Sequence, residues 1–308
     1  MTIFNDAQSA LGFVQSQTAH IEQQVNETVY PDIQYPNLIP VDTSANEWAQ
    51  TVTYYSSDKF GAADWINGNS GDIPLADTEM SEHSTAVHTA GIGYGYGLAE
   101  INTASLVGAN LTADKAMAAR RAYEEMVDRV ALRGDAKKNF KGLINYTGVT
   151  AASATTGAWD GGSTTEDEIL ADINEVILGI AEDTAYTGMA DTLLLPFAKL
   201  NTLATTRLGD TQSTILQFLR QNNTYTAMTG QALTIRGVRG LETAGSGSTN
   251  RMVAYRRAPD VLKLHIPMAH RFLPAFQKSP TYVEVAGMFR LGGLDIRRIK
   301  EVRYSDGI

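Results

Sequence analysis

Apolar side chains recur at helical spacing in two stretches of the chain. The first, residues 112–133, carries charged residues on its opposite face, with Thr112 placed to cap its start and Gly134 placed to end it. The second begins at the capping-box pair Thr165 and Glu168. The apolar faces comprise Ala116, Ala119, Tyr123, Met126, Val127 and Val130 in the first stretch, and Ile169, Ile173, Val176, Ile177 and Ile180 in the second. Both stretches are predicted to be amphipathic helices.

Short apolar runs bounded by turn residues predict strands in the second half of the chain. These runs are 192–196, 233–238, 252–255, 261–266, 282–285 and 296–302, with glycine turns at 245–247 and 292–293. A third, shorter helix is predicted to begin at Thr211 or Ser213. Because helices and strands alternate before a β-rich end, the predicted fold class is α+β.

The beginning of the chain combines a weak helix pattern with a proline-rich strap. Residues 1–30 are Gln-rich with few apolar positions, and residues 30–40 contain three prolines, which favour an extended backbone. A free terminus is the commoner fate of chain ends. The strap is too apolar for that, however, and is predicted to dock on another surface. Its apolar residues are Tyr30, Ile33, Tyr35, Leu38 and Ile39.

Residues 51–97 predict a long two-stranded arm. A β-branched and aromatic strand at 51–55 leads into a turn-rich tip at 61–72, and a segment from Ile73 to about Gly97 returns. An isolated hairpin has no core and is marginal in water, so such an arm needs another surface. We therefore expect copies of the same chain to supply it. A β-rich subdomain packed on the chain's own core is the alternative.

Composition excludes several classes of protein. The 308 residues are 43% hydrophobic and 19% charged, which is typical of a folded chain, and 27 glycines and 9 prolines imply many turns. The absence of cysteine removes disulfides and thiolate sites. No apolar run approaches the roughly 20 residues that cross a bilayer, and the first ten residues lack a signal-peptide pattern. The sequence predicts a soluble protein made in the cytoplasm.

The net charge of −9 is unevenly distributed. Residues 1–110 contain 13 acidic residues and one basic residue, Lys59, whereas residues 251–308 contain 11 basic and 5 acidic residues. In a self-associating protein, an acidic arm that lies on a neighbour's basic segment gains steering and register.

Patterns of catalytic residues are weak. The glycines at 91, 93, 95 and 97 lack the spacing of a dinucleotide loop and suit a strand that passes close to other backbone. His83 and His88 are five apart, as are His265 and His270, so a metal pair is not expected on a strand. Glu124 and Glu125 point to different sides of a helix. No catalytic residue, metal site or cofactor is predicted.

Residues 93–149 resemble the tailed-bacteriophage major capsid proteins of the Hong Kong 97-type fold. The resemblance lies in Gly95–Ile101, Gly108–Leu111, the helix with Lys115 and Ala116, Gly134-Asp135 and Phe140–Asn145, in that order. It implies five segments: an N-terminal arm at 1–50, an extended hairpin called the E-loop at 51–97, a peripheral domain with a long spine helix at 98–145, an axial domain at 146–260, and return strands of the peripheral domain at 261–308.

The function implied by the resemblance is a non-enzymatic subunit of an icosahedral head. Pentamers and hexamers of the chain would enclose double-stranded phage DNA without sequence-specific binding. The implied partners are other copies, a portal protein, and possible scaffold and decoration proteins, with no membrane, and the implied location is the virion. The residues assigned to subunit contacts are Tyr30, Ile33, Tyr35, Leu38, Ile39, Lys59, Trp65 and Ile66. In some capsids of this fold an E-loop lysine is crosslinked to an asparagine; for Lys59 a solvated side chain is favoured.

Two other functions stay open at the level of sequence. An encapsulin-like nanocompartment shell would share the fold and enclose cargo enzymes in place of a genome. A soluble α+β enzyme or sugar-binding protein would remain a small oligomer.

Overall fold

The computed structural model describes residues 30–65, 73–107, 111–159 and 164–308. The helix predicted for residues 1–30 thus lies outside the described residues except for Tyr30. The predicted contact residue Ile66 also lies outside them. In the described part, helices α1–α7 are Tyr35–Leu38, Leu98–Val107, Leu111–Arg133, Glu166–Asp183, Phe197–Thr205, Ile215–Gln221 and Thr224–Thr229. No described helix has the length and apolar character needed to cross a membrane.

The described strands form several small sheets. Strands β1–β9 are Val41–Asp42, Thr51–Phe60, Asp77–Ala86, His88–Gly91, Tyr94–Gly97, Gly134–Asp135, Phe140–Lys141, Thr150–Ser153 and Thr192–Leu195. Strands β10–β18 are Thr234–Gly237, Arg251–Tyr255, Leu262–His265, Met268–Phe272, Phe276–Ser279, Tyr282–Val285, Gly287–Leu291, Gly293–Ile296 and Val302–Asp306. Residues 33–308 form one compact unit.

A five-stranded sheet, in the order β10-β9-β11-β18-β8, separates two hydrophobic cores. Its central strands are buried on both faces, so alternate side chains enter different cores. Leu194 and Val253 enter the core that contains α3, whereas Leu193 and Met252 enter the core that contains α4. The predicted buried strand at 192–196 is thereby confirmed.

The last strand enters the sheet of the segment predicted as the axial domain. β18 lies between β11 and β8, antiparallel to the first and parallel to the second. The predicted run 296–302 does not describe this region, because β17 ends at Ile296 and a short 3-10 helix, Ile299–Glu301, precedes β18. The end of the chain therefore does not belong wholly to the return strands assigned to 261–308.

The two principal helices follow their local sequence signals. The Thr165 hydroxyl accepts a hydrogen bond from the Glu168 N–H, and the Glu168 carboxylate accepts one from the Thr165 N–H, which confirms the capping box of α4. Helix α3 begins at Leu111, so Thr112 lies in its first turn and is not the N-cap. Gly134 follows its end with φ of 76°, a conformation that favours glycine.

The strap is not wholly extended, because Tyr35–Leu38 form helix α1. Pro36 lies in its first turn, where a missing N–H costs nothing. The Asp128 carboxylate of α3 accepts hydrogen bonds from the N–H groups of Gln34 and Tyr35 at 2.9 and 2.8 Å. The Tyr255 hydroxyl donates to the Leu38 carbonyl at 2.8 Å. The strap is therefore held on its own subunit at this point.

The arm is a two-stranded antiparallel sheet of β2 and β3, paired residue by residue from Thr51 with Ala86 to Phe60 with Asp77. The predicted return segment ends at Ala86, sooner than expected. Val87 is buried in the subunit, and β4 and β5 pair with β16 and β15 instead. The prediction of a long arm is correct for strands β2 and β3, residues 66–72 of the predicted tip lie outside the described residues, and residues 88–97 belong to the body.

Candidate subunit-contact surfaces

The arm extends from the body without a covering surface among the described residues. Every residue of β2 from Tyr55 to Phe60 and of β3 from Asp77 to Ser84 is exposed. Ten residues of antiparallel strand span about 34 Å. Two strands with no packed face provide little burial, so this length of hairpin needs a partner surface.

Large apolar side chains are concentrated near the end of the arm. Trp65 is fully exposed and Leu75 is 87% exposed, and Phe60, Ile73 and Met80 are also exposed. Exposed apolar groups that are collected in one region mark interaction sites, whereas isolated ones are normal on any surface. The end of the arm is therefore a candidate surface for contact with another molecule.

One face of the arm is acidic. Asp58 pairs with Glu79 across the strands, and Asp77 pairs with Phe60 at the next position on the same face. These three carboxylates form no ion pair among the described residues. Like charges directly opposite each other in a sheet are unfavourable. This acidic face (Asp58, Asp77 and Glu79) would be stabilised by cations from outside the arm.

The base of the arm is fixed to the body through a line of charged residues. The Arg297 guanidinium lies over the Tyr54 ring, 4.5 Å from its centroid, and Arg297 Nε is 3.2 Å from Asp295 Oδ2. Buried His265 lies between Asp295 and Asp42, with nitrogen–oxygen distances of 3.6 and 3.5 Å. Burial raises the pKa of Tyr54, as does the charge of Asp295. The arm therefore leaves the body from a defined base.

A basic turn follows helix α3. Arg133, Lys137, Lys138 and Lys141 are exposed within residues 133–141, and none of them forms an ion pair with a carboxylate in the described part of the chain. We call these four residues the basic turn. Here β6 pairs with β7 in a tight hairpin, with Gly134 opposite Lys141.

Hydrogen bonds hold the backbone of the basic turn in place. The Asp135 carboxylate accepts from the Lys137 N–H at 2.9 Å. Asn145 accepts from the Gly142 N–H and donates to the Arg133 carbonyl, both at 2.8 Å. Four cations are thus presented on a backbone that is already ordered.

Most cations of the basic C-terminal segment are neutralised within the subunit. Eight of the 11 basic residues in 251–308 lie in ion pairs with carboxylates of the same chain. They are Arg251, Arg256, Lys263, Arg271, Lys278, Arg297, Arg298 and Arg303. The expectation that this segment as a whole receives a neighbour's acidic arm is therefore corrected, since few of its charges are available.

The predicted contact residues have different positions in the structure. Tyr35, Leu38 and Ile39 are buried in the core of their own subunit and Ile33 packs against it, so the first three have no surface left for a neighbour. Tyr30 is 54% exposed. Lys59 and Trp65 lie exposed on the arm.

Sequence reasoning missed the acidic face and the basic turn. The signal for the first was present, because acidic residues at 58, 77 and 79 lie in two segments that must pair. The signal for the second was the density of lysine just after a glycine-terminated helix.

Candidate catalytic groups have structural explanations. A Cβ atom at Gly93 would lie 2.2 Å from the Val285 carbonyl oxygen, so this glycine permits close backbone approach, as predicted. His83 stacks on Tyr54, and His270 stacks on Tyr123. Within the described ranges, no group of three or more His, Asp or Glu side chains is placed to hold a metal ion.

Solved phage capsids have the same fold. The chain is similar to the capsid of Myoviridae phage XM1, with a TM-score of 0.81 at 18% identity over 95% of this chain and 98% of that one. A chain of Mycobacterium phage Bobi gives a TM-score of 0.64 at 11% identity over 94% and 95%. The capsid of an empty GTA particle gives 0.63 at 8% identity over 96% and 97%. The predicted Hong Kong 97-type fold is confirmed.

A search of curated proteins finds no match. The family model described as "Major capsid protein" matches residues 61–308, which is most of the chain. The exposed arm, the fold and this match agree with one another. The chain belongs to the major capsid protein family and is a structural subunit of a viral capsid.

Proposed function

We propose that the chain assembles into pentamers and hexamers that close into the icosahedral head of a tailed phage. The observation that carries this proposal is the exposed arm. Its base is held on the subunit by the contact between Tyr54 and Arg297, whereas its apolar end and its acidic face are uncovered. An arm that leaves one subunit and packs on the next makes a heterologous contact. Repeated around an axis, such contacts close into rings.

The segments have corresponding roles in this proposal. Residues 51–86 are the arm that overlaps a neighbour, helix α3 is the spine of the peripheral domain, and the core around α4 belongs to the axial domain at the ring centres. Residues 1–50 form an N-terminal arm, of which 33–42 are held on their own subunit. Each overlap of an apolar arm contributes about 25 cal/mol per Å² of apolar surface buried.

The shell encloses double-stranded DNA without sequence-specific binding. A net charge of −9 supports this, because strong phosphate affinity requires clustered cations that face the DNA. The chain is made in the host cytoplasm, and a portal protein together with scaffold or decoration proteins completes the particle. Lys59 is a solvated cation on the arm and not a crosslinking group.

Expression followed by sedimentation and negative-stain microscopy tests the assembly. Closed shells of uniform diameter are expected, and native particles should contain nuclease-protected DNA. Particles that contain protein cargo and no DNA would indicate a nanocompartment instead. On a denaturing gel, purified particles should give a single monomer band, because Lys59 forms no covalent link in this proposal. A covalent ladder would instead assign Lys59 a chemical role.

A further inference from the structure

We propose that the acidic face of the arm docks on the basic turn of a neighbouring copy of this chain. The proposal deepens the shell-building function and rests on it. It assigns the electrostatic contact to Asp58, Asp77 and Glu79 on one copy and to Arg133, Lys137, Lys138 and Lys141 on the next.

The arm has an excess of charge that its own subunit does not neutralise. Its described residues include the acids Asp58, Asp64, Asp77, Glu79 and Glu82 and a single cation, Lys59. Lys59 pairs with Thr78, and so it lies on the face opposite the acidic face. The three carboxylates of the acidic face therefore have no cation beside them on the arm.

The subunit also has an excess of positive charge in one place. The ion pairs of residues 251–308 remove most of the C-terminal cations from consideration. Among the described residues, the basic turn is the densest exposed group of cations without an ion pair, with four in nine positions. The complementarity is therefore between the arm and the basic turn.

The two surfaces do not meet within one subunit. Among the described residues, no ion pair joins the acidic face to the basic turn, and neither group forms an ion pair with any other part of the subunit. Because the hydrogen bonds of Asp135 and Asn145 already order the turn, docking costs little backbone entropy there. A second copy of this chain can neutralise the charges of both surfaces. Such a copy is present wherever this chain is made.

Charge reversal tests the contact. The variants D58K/E79K and K137E/K138E change exposed side chains, so each subunit should fold, with unchanged circular dichroism and thermal midpoint. Each variant alone should raise the concentration needed for half-assembly about tenfold or more, because like charges then face each other. The four changes combined in one chain should restore assembly. Lys300→Glu, an exposed cation outside the turn, is the matched control and should leave assembly unchanged.

The outcomes separate this contact from the function on which it rests. If the wild type forms particles and D58K/E79K and K137E/K138E assemble as well as it does, the contact alone is overturned. The same holds if the variant with all four changes assembles no better than D58K/E79K or K137E/K138E. Loss of assembly in Lys300→Glu as severe as in K137E/K138E would also overturn it, since the effect would then be one of net charge. A wild-type chain that forms no shell under any condition would instead overturn the proposed function.

Zero-length crosslinking gives a readout that does not depend on yield. A carbodiimide activates a carboxylate, the lysine amine forms an amide with it, and the carbodiimide leaves as its urea with the oxygen lost from the acid. Particles are assembled from a mixture of chains labelled with light nitrogen and chains labelled with heavy nitrogen. Crosslinked peptides should join Asp58 or Glu79 to Lys137 or Lys138. Pairs of one light and one heavy peptide should occur, which shows that the link joins two different copies. If these carboxylates link only to other lysines, the contact is wrong.

Discussion

The Arg251 guanidinium and the Asp306 carboxylate form a buried bidentate ion pair across strands β11 and β18, with distances of 2.6 Å from Nε to Oδ1 and 2.8 Å from Nη2 to Oδ2. Arg251 also donates to the Ile144 carbonyl at 2.7 Å and lies over the Tyr304 ring. One side chain thus ties the last strand to strand β11 and to the loop that follows β7.

We expect Arg251→Met to destabilise the subunit by about 3–5 kcal/mol, because it leaves a buried carboxylate without its partner. Urea unfolding of the dissociated subunit measures this. In the exposed pair Arg271–Glu47, Arg271→Met should cost less than about 1 kcal/mol. Equal effects of the two substitutions would contradict the assigned role of burial.

Acid should remove the stability that Asp42 of strand β1 contributes to the subunit. Burial raises the pKa of Asp42, but hydrogen bonds from Ser44 and the charges of Lys263 and His265 outweigh it and lower the pKa to about 2. A depressed pKa contributes stability that is complete above the ordinary value of 3.8 and is lost as the pH falls toward 2.

The pH dependence of the urea midpoint between pH 5 and about 2 in wild type and Asp42→Asn measures this contribution. The wild type should lose its advantage over the variant as the pH falls. A difference that stays constant through this range would show that Asp42 keeps its ordinary pKa. The pKa of Asp306 is also lowered; burial raises it, and the hydrogen bonds from Arg251 and Ser246 outweigh that effect.

Gly142→Ala should destabilise the subunit by about 1–3 kcal/mol or more, because the added Cβ has no room. It would lie 2.2 Å from the Leu132 carbonyl oxygen, which is backbone and cannot rotate away. Gly97→Ala is the control, since its Cβ would meet only the Thr281 oxygen at 3.8 Å. Thermal unfolding of both variants distinguishes crowding from a general intolerance of alanine.

Trp65→Ser combined with Leu75→Ser should change the unfolding free energy of the isolated subunit by less than about 0.5 kcal/mol, since both side chains are exposed. Shell formation should fall strongly, because the apolar end of the arm then has less surface to bury on a neighbour. A variant that unfolds more easily yet assembles normally would assign these side chains to the core of their own subunit.

Local signals predicted those parts of the fold that depend on neighbouring residues. The capping box at Thr165 and the left-handed Gly134 are set within one helical turn, and both were found where expected. Helix α1 was missed because its stabilising carboxylate, Asp128, is 93 positions from Tyr35. Strand β16 was missed for a similar reason, since one of its pairing partners, β4, lies in the first third of the chain.

The contact surfaces show the same division. The arm could be predicted because its residues have no core of their own, which is a property of the sequence. The charge asymmetry suggested a free basic C-terminal segment, and this was wrong because remote carboxylates such as Asp183 and Glu47 pair with its cations. Which cations remain available is a property of the folded subunit.

Electron cryomicroscopy of assembled particles tests the central claim most directly. The map should show closed shells built of rings, in which strands β2 and β3 of each subunit lie on the adjacent copy and Trp65 is covered. A particle in which the arm folds back on its own subunit, or a chain that remains monomeric in all conditions, would contradict the account.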